Sequence, residues 1–170
     1  IKTNKLYLDK WDTFVDASEL QKKEAVIQFS TIVHNEGLQN QSGKIGIKIY
    51  SPAGNEVFST SQDVILSEGT PVATSFSLKK PELWSVDTPV LYTAEVSLSS
   101  DGKGYDKISV PFGIRTLSFS AEKGFLLNGK SMKLKGGCVH HDNGLLGAAA
   151  IDRAEERKVE LMKANGYNGF

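Results

Sequence analysis

From Lys5 to about Ser120, apolar and polar residues alternate along the chain. Ile27, Phe29 and Val33 are interleaved with Gln28 and Ser30, and Ile45, Ile47 and Ile49 with Lys44, Gly46 and Lys48. Phe76 and Leu78 alternate with Ser75, Ser77 and Lys79, then Tyr92, Ala94, Val96 and Leu98 with Thr93, Glu95 and Ser97. Ile108, Val110 and Phe112 close the series with Lys107, Ser109 and Pro111. Because successive side chains of a strand point to opposite faces, each run predicts a strand buried on one side only. Turn-forming residues separate the runs at Asn35-Glu36-Gly37, Ser51-Pro52-Ala53-Gly54-Asn55, Glu68-Gly69, Asp87-Thr88-Pro89 and Ser100-Asp101-Gly102. About seven short strands over roughly 100 residues predict an antiparallel β-sandwich of immunoglobulin type. The fold class is therefore mainly β.

After Ser120 the pattern changes. Phe125-Leu126-Leu127 and Met132-Lys133-Leu134 flank Asn128-Gly129-Lys130-Ser131, and Asn-Gly favours a tight hairpin because both residues tolerate positive φ. The hairpin introduces a predicted strand from Met132 to Val139. Beyond the loop His140 to Ala150, Asp152 and Glu155 have the spacing of a capping box, and Ala154, Val159, Leu161, Met162 and Ala164 supply apolar positions over about four turns. A helix is predicted there, with Lys163 in its last turn and Gly166 as a left-handed cap. Tyr167-Asn168-Gly169-Phe170 reads as the start of a further strand, giving strand, helix and strand in succession. The predicted organisation is a sandwich over 1–118, a linker and hairpin over 119–131, and the opening of a strand-then-helix domain over 132–170.

Composition narrows the function classes. In the 170 residues, 39% are hydrophobic and 24% charged, with 20 basic and 20 acidic side chains, as in an ordinary soluble protein. With no net field, neither nucleic acid nor an anionic membrane is an expected partner. No apolar run approaches the ~20 residues needed to cross a bilayer. A chain that opens on Ile1 is expected to lack its natural start, so the compartment stays open between periplasmic or secreted and cytoplasmic. The single Cys138 allows no internal disulfide, and its apolar strand marks it as a buried structural thiol.

The densest chemistry lies in Lys135-Gly136-Gly137-Cys138-Val139-His140-His141-Asp142-Asn143-Gly144, where two imidazoles and a carboxylate stand at the exit of a strand. Such a loop can simply satisfy its own backbone, or it can hold a functional site. A metal-dependent hydrolase using His140, His141 and Asp142 is a further reading, although adjacent residues seldom converge on one ion and no His or Glu follows at helical spacing. Elsewhere, Trp84 reads as core or interdomain packing rather than a sugar platform, and Tyr92 as a core residue. Arg115, where sandwich meets hairpin, is expected to tie the two together through backbone carbonyls.

Five strings in order, Pro81 to Tyr92 (PELWSVDTPVLY), Phe112 to Thr116 (FGIRT), Leu127 to Lys130 leading to Leu134 to Gly137, His140 to Asp142, and Leu161 to Asn168 (LMKANGYN), resemble glycoside hydrolase family 2. Its members include β-galactosidases, β-glucuronidases and β-mannosidases. The resemblance implies a jelly-roll domain, an immunoglobulin-like sandwich and a catalytic (β/α)8 barrel, of which this chain would hold the sandwich and the first strand and helix of a truncated barrel. A barrel takes about 250 residues, so 132–170 cannot close one. It implies further that the acid/base and nucleophilic glutamates lie beyond this chain, which is expected to be inactive alone. By the same resemblance His140 matches a histidine that contacts the sugar, Asp142 matches a carboxylate near the same subsite in some members, and His141 stands where others carry Glu. Glu155, Glu156 and Glu160 would sit on an outward, solvated helix face and are not expected to be catalysts.

The expected function is thus part of a retaining β-glycosidase, most like a β-galactosidase because of the His-His-Asp-Asn-Gly string, with a carbohydrate as substrate. The alternative is a non-catalytic immunoglobulin-like module for carbohydrate binding or adhesion. These residues require no cofactor and give no support for a divalent or monovalent cation in the longer enzyme. Unpaired edges and an apolar helix face in the tail point to self-association through the truncated barrel segment, or to lower order there than in the sandwich.

Overall fold

Alternation becomes geometry in eight strands: β1 (Leu6–Leu8), β2 (Phe14–Gln21), β3 (Glu24–Asn35), β4 (Gln41–Tyr50), β5 (Glu56–Leu66), β6 (Thr70–Lys79), β7 (Tyr92–Ser100) and β8 (Lys103–Phe112). The structure is a computed structural model that describes residues 4–169 apart from 22 and 38. The chain divides into two compact units between Thr116 and Leu117.

In the first unit β3 pairs with β6 along one edge. Its other edge takes β2 along Glu24–Ser30 and then β1 along Val33–Asn35, so β1 and β2 act as one strand interrupted by a loop. The second sheet has the order β5-β4-β7-β8, and every pairing is antiparallel. Ile27, Phe29 and Val33 of β3, Ile45, Ile47 and Ile49 of β4, and Val96 and Leu98 of β7 are 2% exposed or less and form one core. This is a β-sandwich. Removing that much apolar surface from water is the main force for folding, and it is available only because each strand segregates its apolar residues to one face.

Polar groups trapped at the rim of the core are bonded. Asn35 donates from Nδ2 to the Leu66 carbonyl at 3.0 Å, which links β3 of one sheet to the end of β5 in the other. Thr13 and Thr31 pair their hydroxyls at 2.7 Å, and the Tyr92 hydroxyl accepts the Glu82 N–H at 2.9 Å. A buried polar group without a partner would cost about 1–3 kcal/mol. Among the described residues no buried side-chain nitrogen or oxygen lacks one.

Two hairpins follow the turn residues. Asp101 and Gly102, with φ of 49° and 73°, connect β7 to β8. In the second unit Asn128 and Gly129, at 52° and 74°, connect β10 (Gly124–Leu127) to β11 (Lys130–Ser131). Both positions in each turn are left-handed, the two-residue geometry that matches strand twist. β9 (Leu117–Ser120) pairs with β10, so the expected hairpin is a three-stranded sheet.

Three expectations are corrected here. Residues 132–139 do not form a strand: they make one isolated parallel bridge, Gly136 to Gly169, because a neighbouring backbone runs alongside at that point alone. The expected final strand is described only as far as Gly169, and Phe170 lies outside the described residues. The helix α1 (Asp152–Ala164) forms without a capping box, since Ile151 is its N-cap and no side chain bonds there. Cys138 is exposed rather than buried, because within its unit only one layer, α1, stands beside the segment that carries it. Within the first unit the Arg115 guanidinium lies 4.9 Å from the centroid of the Trp84 ring, an attraction between cation and π-face. Among the described residues no helix is long and apolar enough to cross a membrane.

Candidate functional site

The second unit builds a groove from a helix and an extended segment. Arg153 of α1 bonds Glu156 and Glu160 on the solvent side, at 3.2 and 2.8 Å. The helix ends in a Schellman motif: the Gly166 N–H reaches the Lys163 carbonyl, and the Tyr167 N–H the Met162 carbonyl, at 3.0 and 3.1 Å. Gly166 takes the required left-handed conformation with φ of 83°. The chain then turns back, and Asn168 fastens it to the segment before the loop. Its N–H donates to the Lys135 carbonyl (2.9 Å), its Oδ1 accepts the Lys135 N–H (2.8 Å) and its Nδ2 donates to the Lys133 carbonyl (3.0 Å). One side chain thereby extends a single backbone bridge into a clamp.

The loop with the two histidines is held from both ends. The Asp142 N–H donates to the His140 carbonyl at 2.8 Å, and Asp142 Oδ1 accepts the Gly144 N–H at 3.1 Å. Asn143 Nδ2 donates to the Ala149 carbonyl at 3.1 Å and to Glu155 Oε1 at 2.7 Å, and Lys158 Nζ donates to Glu155 Oε2 at 3.1 Å and to the His140 carbonyl at 3.4 Å. The bond from Asn143, then that from Lys158, holds the Glu155 carboxyl below its usual range. Glu155 is therefore turned toward the loop, unlike Glu156 and Glu160, and it serves as an anchor.

His140 and Asp142 line an open groove of about 680 Å³, with Cys138 on the same wall and Lys158, Met162 and Tyr167 opposite. His141 is not on this wall: it sits at the centre of the tight turn closed by the bond from the Asp142 N–H to the His140 carbonyl. His140 and Asp142 are both exposed, so their polar atoms are open to a solute. The groove offers an imidazole, a carboxylate, an ammonium and a phenol beside apolar surface, the mixture that binds a molecule with both hydroxyls and C–H faces. Among the described residues no three His, Cys, Asp or Glu side chains gather into a set able to hold a metal ion. Asn143, Glu155, Lys158 and Asn168 were not singled out as site-building residues from sequence; the spacing of Glu155 and Lys158, three apart on a helix, was the one available signal.

The family model described as glycosyl hydrolases family 2 matches residues 6–115. A β-galactosidase of Bacteroides ovatus is 36% identical over 99% of this chain and 20% of its own length. A β-glucuronidase of Bacteroides fragilis is 36% identical over 65% of this chain and 16% of its own. A crystal structure of a glycosyl hydrolase family 2 member from Bacteroides cellulosilyticus superposes with a TM-score of 0.93 at 43% identity, covering 98% of this chain and 22% of that one. The chain thus spans about a fifth of the length of the relatives it matches.

Proposed function

This chain belongs to glycosyl hydrolases family 2, and from that premise we propose that it is the sandwich and the opening of the catalytic barrel of a retaining β-glycosidase. The sandwich is read as immunoglobulin-type, a reading supported by its two sheets, β3 with β1, β2 and β6 and β5-β4-β7-β8, and by a tyrosine at the start of β7 bonded back to the Glu82 N–H. Residues 132–169, with a parallel bridge on one side of α1, are read as the first strand, first helix and second strand of the barrel.

Retaining hydrolysis uses two carboxyl groups about 5–5.5 Å apart, one attacking the anomeric carbon and one protonating the leaving oxygen before activating water. Both glutamates are assigned to residues beyond this chain. The share of the work given to this chain is to hold sugar hydroxyls, with His140 and Asp142 as one wall of the subsite for the cleaved residue. The observation that carries this reading is that both project onto one groove at the end of the first barrel segment, the face on which barrel enzymes build their sites. A group that bonds the sugar more strongly as it flattens toward the transition state contributes to rate as well as binding. A β-galactoside is the preferred substrate, supported by the match to a β-galactosidase over nearly the whole chain.

The test is hydrolysis of aryl β-galactoside and β-glucuronide by the chain alone and by the protein extended through the rest of the barrel. The chain alone is expected to cleave neither. The extended protein is expected to prefer the galactoside, and His140→Ala in it to lose about 10²-fold in kcat/KM, the size found when one transition-state hydrogen bond is removed. Turnover by the 170 residues alone would overturn the division of labour, and preference for the glucuronide would overturn the sugar assignment.

A further inference from the structure

Among the described residues the sandwich has four free strand edges, and three are blunted. The edge made by β1 and β2 is cut by the loop between them and shifted by a bulge between Ala17 and Glu19. β6 carries Pro71. β8 carries Pro111, a register shift opposite Leu98 and Ser99, and Asp106, whose carboxylate takes the Leu8 N–H at 2.9 Å. Prolines, bulges and bonded charges are the usual means by which a sheet is kept from pairing with another chain.

β5 has no such protection along most of its length. Its one irregularity is at Val57, after which Phe58 to Leu66 pair regularly with β4 and contain neither proline nor glycine. Asp63 is the lone charge in that stretch, and it lies 3.7 Å from Lys44 Nζ of its own sheet. Ser59 to Asp63 are all exposed, so solvent reaches both faces of the strand. A regular edge of this length presents unpaired N–H and C=O groups to any strand that can lie beside it.

The residue pattern selects which strand that is. Set antiparallel against a second β5 with Ser61 opposite Ser61, Thr60 meets Gln62, Ser59 meets Asp63 and Phe58 meets Val64, so polar meets polar, apolar meets apolar and no like charges are opposed. Centring one residue later opposes Thr60 to Val64 and Ser59 to Ile65; centring one earlier opposes Phe58 to Gln62 and Val57 to Asp63. Of these three registers the strand is self-complementary only in the one centred on Ser61. We propose that β5 is an interface between two copies of this chain, joined edge to edge about a two-fold axis through the Ser61 pair into one continuous eight-stranded sheet.

Static light scattering over a concentration series tests this on the whole chain with Cys138→Ser, which removes the exposed native thiol. The mass is expected to rise twofold. Adding Ser61→Lys, which sets two ammonium groups opposite each other at an exposed position, is expected to hold it at the monomer. Adding Ser61→Cys instead is expected to yield a disulfide-linked dimer on oxidation. A mixture of Ser59→Cys and Asp63→Cys chains is expected to cross-link between the two types and not within either. A monomer at every concentration, a twofold mass retained by Ser61→Lys, or cross-linking of Ser59→Cys to itself would each overturn the proposal. Ser61→Cys keeps the size of the native side chain and separates loss of pairing from loss of folding.

Discussion

Gly136 and Gly169 form a parallel bridge so close that a side chain on Gly136 would run into the Gly169 carbonyl. Backbone cannot step aside as a side chain can. Gly136→Ala is therefore expected to destabilise the second unit by about 1–3 kcal/mol, the range for overpacking. Gly137→Ala, whose new methyl would meet nothing within 4 Å, is expected to stay within about 0.5 kcal/mol of the parent. Chemical denaturation of both, followed through the helix signal, makes the comparison; equal losses would show that the close approach is not what matters.

The bond from Asn143 to Glu155 predicts a pH dependence. A carboxyl held below its usual range stabilises the fold fully above its unfolded pKa, near 4.5, and that contribution is lost as pH falls through the lower folded value. An NMR titration of the Glu155 carboxyl carbon is expected to give a midpoint below 4.5. In Asn143→Ala the midpoint is expected to move upward, because the largest cause of the lowering has been removed. An unchanged midpoint would dissociate the loop from the helix.

Trp84 is bounded by Arg115 and by Gly113, where an added Cβ would approach three of its side-chain atoms to 3.0 Å. Gly113→Ala is expected to displace the indole and to alter Trp84 fluorescence more than Arg115→Ala does. The arginine variant is expected to lose about 0.5–1 kcal/mol, the worth of a partly exposed cation–π contact. A Trp11→Phe background isolates the signal, since the chain has two tryptophans.

Phe29, at the centre of β3 and 2% exposed, is expected to cost about 3–5 kcal/mol when replaced by alanine. Ile65, on the same fold but 62% exposed, is expected to cost little. Thermal melting of the two variants reads the difference directly.

The strands that could be read from sequence are those with a dry face and a wet one. β3, β4, β6, β7 and β8 all sit beside the core and carry its alternation. β5 was not named from sequence, because Ser59 to Asp63 are exposed on both faces and nothing forces apolar residues onto either. The Asn-Gly and Asp-Gly turns were legible because positive φ selects residue type locally. Residues 132–139 read as a strand yet form one bridge, since strand pairing depends on a neighbour that local pattern does not specify. In the site, the His140 to Asp142 loop was visible from its chemistry. The Asn143 and Asn168 contacts were not, because amides bonded across 12 to 35 residues leave no periodic trace.

The Asn168 clamp also bears on how this region can vary. It joins residues 133 and 135 to 168 whatever the length of chain between them, and the entropy of closing a loop grows only as the logarithm of its length, about 0.6 kcal/mol per doubling. Leu145, 107% exposed at the tip of the turn Gly144–Leu146, marks where added residues would leave Asn143 and Asn168 their partners. The turn beyond the groove's histidine wall is accordingly open to insertion and exchange, while the same amide keeps the segment before that wall fastened to the chain that leaves the helix.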